Sequence, residues 1–118
     1  MKRTRPVHLN LLVIRQPFPA LISIFHRVSG ALLFLGIPVL LQTLQMVVTN
    51  STERLTHAGF RFTLFVVLGA YAFHFFAGLR FLLLDVHCGV ERQSARRSAL
   101  VVGVAAVMCI LFLGVSLW

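Results

Sequence analysis

The sequence predicts an all-α membrane protein with three transmembrane helices. Two observations carry this. First, 58% of the 118 residues are hydrophobic and 12% are charged, with a mean hydropathy of +0.91; an ordinary soluble domain has about a quarter of its residues charged. Second, the apolar residues gather into three long uncharged runs that are apolar all round, whereas a helix of a soluble bundle keeps a polar outer face. The length suits one domain over 1–118.

Eleven Lys and Arg against three Asp and Glu give a net charge of +8. In a soluble protein this would suggest nucleic acid. Here the basic residues sit at the ends of the apolar runs, where they orient a membrane protein, and no basic stripe interleaved with aromatics offers a nucleic-acid surface. Cys88 falls in a polar loop and Cys109 deep in the last run, too far apart for a disulfide; neither has metal-type spacing.

Residues 1–20 read as a basic cytoplasmic or interfacial lead-in. Pro6, His8, Asn10, Arg15 and Pro17 break it up, so it lacks the continuous apolar core of a signal peptide. Its patch Leu11-Leu-Val-Ile14 is too short to span. Nor is the lead-in long enough or Ser-rich enough for an organellar transit peptide, which favours a bacterial membrane protein. The first span is expected at about 21–48, with Pro19 in its opening turn. No charge occurs from Val28 to Thr52, enough to cross about 30 Å of hydrocarbon. A polar loop over 49–60 leads to the second span, about 61–84, which holds His74 between Arg61 and Arg80. A second loop over 85–98 precedes the third span, 99–118, ending on an interfacial Trp118.

Lys2, Arg3, Arg5 and Arg15 lie in the lead-in, with Arg27 at the mouth of the first span. Arg92, Arg96 and Arg97 lie in the second loop, with Arg80 nearby. The first loop has Arg54 alone, with Arg61 at the membrane edge. The expected topology therefore has the N-terminus and second loop in the cytoplasm and the C-terminus in the periplasm.

His74 is the residue that most needs explaining. It lies in the run Ala70-Tyr-Ala-Phe-His74-Phe-Phe-Ala-Gly78, about 9 Å along the helix from Arg80, in the cytoplasmic half of the bilayer. A titratable ring in hydrocarbon has a partner or a ligand. Three readings are open: a hydrogen bond to a serine or carbonyl of a neighbouring helix, a step in a proton relay, and axial ligation of haem. Tyr71, Gly78 and Phe81 share its helical face.

A second constellation is Ser23-Ile-Phe-His26-Arg27-Val-Ser29-Gly30. Ser23, His26, Arg27 and Gly30 fall on one stripe at the cytoplasmic mouth of the first span. Snorkelling explains Arg27 alone. The cluster also suits a quinone carbonyl, which needs donors near the surface, or the propionates of a haem.

Together these motifs resemble the cytochrome b subunit of bacterial succinate dehydrogenase, the larger membrane anchor of succinate:quinone oxidoreductase. Arg5-Pro6-Val7-His8-Leu9 is similar to that family's N-terminal segment. Ser23-Ile-Phe-His26-Arg27-Val-Ser29-Gly30 resembles its Ser-x-x-His-Arg-x-[Ser/Thr]-Gly signature. His74-Phe-Phe-Ala-Gly78-Leu-Arg80 with Asp85 resembles its His-x-x-x-Gly-x-Arg-His…Asp signature, except that Phe81 stands where the family often has His.

The resemblance implies a helical anchor bundle shared with a second small anchor subunit in the bacterial inner membrane. His74 would be one axial ligand of haem b, the partner anchor supplying the other His. Ser23 and Arg27 would line the ubiquinone site, and His26 with Arg27 would approach the haem propionates. A flavoprotein and an iron–sulfur subunit would dock on the cytoplasmic side and oxidise succinate, so no catalytic residue for that step is expected here. A fumarate reductase anchor running in reverse, or a small non-enzymatic membrane protein in which His74 only packs, remain the alternatives.

Overall fold

A computed structural model describes residues 16–51 and 53–118; the lead-in charges and the Leu11–Ile14 patch lie outside the described residues. The chain forms three long helices: α1 over Phe18–Val48, α2 over Ala58–Asp85 and α3 over Arg92–Leu117, with a short 3₁₀ turn over Glu53–Thr56 between α1 and α2. All three are long and apolar enough to cross a membrane. Most large apolar side chains face outward, Phe34, Leu35 and Val115 among the most exposed. Such surfaces are stable only in lipid or against a partner.

Helix α2 is the middle element, antiparallel to both neighbours. Its face bearing Val67, His74 and Gly78 meets α1, and its face bearing Phe65, Gly69 and Arg80 meets α3. Helices α1 and α2 approach closely at Gly36, where a methyl group would sit 2.8 Å from Val67 Cγ2. Small residues at such crossings let backbones approach in a membrane. The best-packed cluster, Ile22, Ala77, Ala99 and Val102 with Phe73, Phe76 and Phe81 against it, lies where the start of α1, the end of α2 and the start of α3 meet.

Helix α3 starts at Arg92, well before the uncharged run that begins at Ala99. Apolar length sets the span, but Gln93, Ala95, Arg96 and Arg97 are adequate helix formers and extend the helix into the polar region. Helix α2 likewise begins at Ala58, before the expected span. Pro38 lies inside α1, which continues through it.

Both α1 and α2 end in a left-handed residue that lets the chain turn back on the last carbonyls. At the end of α2, His87 N–H donates to Leu84 O and Cys88 N–H to Leu83 O, with His87 at φ 60°. A side chain at such a φ is strained, and glycine is not. His87→Gly should stabilise the assembled protein by about 0.5–1 kcal/mol, read as a raised Tm. An unchanged or lowered Tm would mean that the imidazole makes a compensating contact.

Candidate functional site

The site is built where α1 crosses α2. Ser29 on α1 is buried, and its hydroxyl donates 2.9 Å to the carbonyl of His26, one turn back. His74 on α2 reaches across to the same place. Its Nδ1 lies 3.1 Å from the His26 carbonyl and 3.1 Å from Ser29 Oγ. A carbonyl oxygen only accepts, so the hydrogen-bond network assigns the proton to Nδ1. In the neutral ring the lone pair then sits on Nε2, which makes no hydrogen bond among the described residues.

The imidazole of His26 stacks on that of His74, with centroids 4.0 Å apart and planes 11° from parallel. Two glycines make room. A methyl at Gly30 would meet His74 Cε1 at 3.1 Å, and one at Gly78 would meet His26 Nε2 at 3.4 Å. His26 Nε2 is buried without a partner among the described residues. Phe81 packs on the His26 ring at 5.1 Å, so the residue that departs from the expected signature is a wall of this site.

The remaining predicted residues are spread around α1. Arg27 is exposed and Ser23 half-buried, and neither makes a hydrogen bond among the described residues. The expected common stripe of Ser23, His26, Arg27 and Gly30 therefore divides: His26 and Gly30 turn toward α2, and Arg27 toward the outside. Tyr71, expected on the His74 face, is exposed and stacks on Phe75. Cys88 and Cys109 are both free thiols.

Two residues acquire roles that the sequence reading did not give them. Ser29 is the hydroxyl that meets His74. Arg80, counted with the cytoplasmic charges near the second loop, is buried between α2 and α3. Its Nε donates 3.1 Å to Ser98 Oγ and its Nη2 donates 3.2 Å to the Ala95 carbonyl, with the guanidinium 5.3 Å above the Phe81 ring. It ties α3 to α2 rather than counting as a surface charge.

These residues fit an axially ligated haem. A metal-binding imidazole characteristically donates its other N–H to a carbonyl, which fixes the ring and leaves the second nitrogen for the metal. His74 has that arrangement before any ligand is considered. It also walls a shallow cavity of about 230 Å³ with Phe75, Gly78, Leu79 and Leu82. A complete small-molecule site usually encloses roughly 300–1,000 Å³, so the chain offers part of a pocket and an apolar one.

The family model for the succinate dehydrogenase/fumarate reductase transmembrane subunit matches residues 1–113. The chain belongs to this family. It is 33% identical over 125 residues to the succinate dehydrogenase cytochrome b556 subunit of Coxiella burnetii (strain RSA 493 / Nine Mile phase I), with the whole of both chains covered. A succinate dehydrogenase/fumarate reductase transmembrane subunit works within an enzyme complex and has partner subunits there. The three membrane-crossing helices agree with that membership.

Proposed function

We propose that this chain is the haem b- and quinone-binding anchor of a succinate dehydrogenase, passing electrons from an iron–sulfur subunit to ubiquinone in a bacterial inner membrane. The observation that carries the reading is His74: one ring nitrogen is engaged by the His26 carbonyl and Ser29, and the other is left for a ligand. The hydrogen-bonded reading of His74 and the ligand reading thus concern different nitrogens of one ring.

His74 would hold the iron through Nε2. Haem b, when bound, supplies a one-electron carrier. The shallow cavity beside His74 suits a shared site, with a second small anchor subunit bringing the other axial His. His26 stacks on the ligand ring, and with Arg27 it would approach the propionates.

Ser23 and Arg27 would take a ubiquinone carbonyl at the mouth of α1. A quinone accepts two electrons and two protons, and negative charge builds on its oxygens as electrons arrive. A hydroxyl and a guanidinium aimed at such an oxygen stabilise that charge more than they stabilise the neutral ground state. Succinate oxidation would rest with a flavoprotein and the iron–sulfur subunit on the cytoplasmic side. The exposed Arg92, Arg96 and Arg97 support this orientation.

The test is a reduced-minus-oxidised optical spectrum of membranes carrying this chain with its partner subunits. A b-type band is expected, and its absence would overturn the reading. Within it, Ser29→Ala should shift the midpoint potential of that haem and lower haem retention about tenfold, with Ser29→Thr restoring both. An alanine variant with unchanged potential and retention would remove Ser29 from the site.

A further inference from the structure

Hydrogen bonds alone do not hold the His74 ring. Its Nδ1 proton faces two oxygens, the His26 carbonyl and Ser29 Oγ, each at 3.1 Å. Both distances lie at the long end of the hydrogen-bond range, and the torsion that turns an imidazole about Cβ–Cγ has broad wells. A proton shared in this way anchors one edge of the ring and leaves its plane soft.

The face of the ring meets a firmer support. The His26 ring lies against it, with centroids 4.0 Å apart and planes 11° from parallel. His26 is itself enclosed. His74 and Phe81 are seven residues apart on α2, about 10.5 Å along the axis, and the His26 ring lies 4.0 Å from one and 5.1 Å from the other. It is therefore a ring of α1 wedged between two rings of α2. Phe81 has a backing of its own. It packs against the buried cluster of Ile22, Ala77, Ala99 and Val102. The Arg80 guanidinium, tied to Ser98 and the Ala95 carbonyl of α3, lies 5.3 Å from its centre, within cation–π range.

We propose that His26 and Phe81 are positioning residues that fix the plane of the His74 ring, and with it the orientation that the ring presents to haem. This rests on the haem reading of His74. Partners that orient a ligating imidazole tune the metal it holds. The role given to His26 belongs to its flat face and is separate from any contact of its nitrogens with a propionate. Phe81 has no side-chain group that hydrogen-bonds, so what it brings to this position is its ring. Filling the core would need only bulk, which leucine also supplies.

The test is low-temperature EPR of the oxidised complex, purified whole with its partner subunits. The largest g value of a low-spin ferric haem between two imidazoles depends on the angle between the ring planes. A ring that loses its support therefore gives a shifted and broadened signal. His26→Phe keeps a flat ring against His74 and removes both nitrogens; it should keep the wild-type g value and line width. His26→Leu and Phe81→Leu keep apolar bulk and remove a ring; each should shift and broaden the signal. Haem lost from the leucine variants but kept in His26→Phe supports the same conclusion. Equal shifts in His26→Phe and His26→Leu would overturn the proposal, as would an unmoved signal in either leucine variant or loss of haem from His26→Phe. A wild-type complex with no haem signal would overturn the haem reading itself.

Discussion

Replacing His74 by leucine is expected to eliminate the b-type haem band while leaving an assembled complex that still oxidises succinate with a soluble artificial acceptor. The reasons are local. Leucine is apolar and of moderate size, so α2 keeps its contact with α1. The His26 carbonyl loses one donor but retains the Ser29 hydroxyl at 2.9 Å, so no buried acceptor is orphaned. What disappears is the Nε2 lone pair of His74, which its hydrogen bonds leave available. Loss of an axial ligand should cost more than the 10–100-fold typical of an outer-shell partner, so haem per complex should fall below about a tenth. Measured against intact succinate oxidation, a persisting wild-type band would exclude His74 as ligand. Loss of both signals would mean instead that the α1–α2 packing had failed.

Arg27→Leu should give the second large effect. Quinone reduction should drop by about 10²-fold, the usual consequence of removing one preorganised donor from developing negative charge. Reduction of a soluble acceptor upstream should persist. Arg27 is exposed on α1 and takes no part in the α1–α2 hydrogen bonds, so its removal should spare the fold. Ser23→Ala should act in the same direction and more weakly, a neutral hydroxyl being a weaker donor than a guanidinium. Both activities falling together would move Arg27 from the quinone site to assembly.

The three helices were legible because nothing in lipid competes with a helix for an isolated apolar run: the backbone has no other way to satisfy its polar groups. The outer limits were less so. Residues 92–98 carry charge and lie outside the uncharged run, and a hydropathy argument has no term for a helix that continues into the polar region. The individual members of the site were legible as polar groups out of place. Their meeting was not. Spacing along α1 correctly puts Ser23, His26, Arg27 and Gly30 within one arc, but only the crossing with α2 decides which part of the arc is inside.

Ser29 gives little signal in the sequence, because a serine in a transmembrane helix has an intrahelical acceptor within reach, and it does use one. Its second contact, with His74, depends on the register between helices. The burial of Arg80 is hidden from the sequence for a related reason. An arginine near the end of a span ordinarily snorkels, and only the hydroxyl of Ser98 and the carbonyl of Ala95 across the α2–α3 contact hold it inside. The small residues at Gly30, Gly36 and Gly78 were the available hint that the helices cross closely there.

The paired glycines carry one more consequence. Gly30 of α1 receives the ring of His74, and Gly78 of α2 receives the ring of His26. Each helix thus holds a socket for the other's plug, and the two couplings run in opposite directions across one crossing. If α1 slid by one turn, about 5.4 Å, His26 or Phe34 would come to the level of His74 in place of Gly30, and the socket at Gly78 would lose its occupant in the same movement. The two helices therefore have no neighbouring register in which both sockets are filled, and the alignment is keyed rather than merely favourable. A pair of glycines and a pair of histidines are enough to tell the bundle whether it has been put together in step.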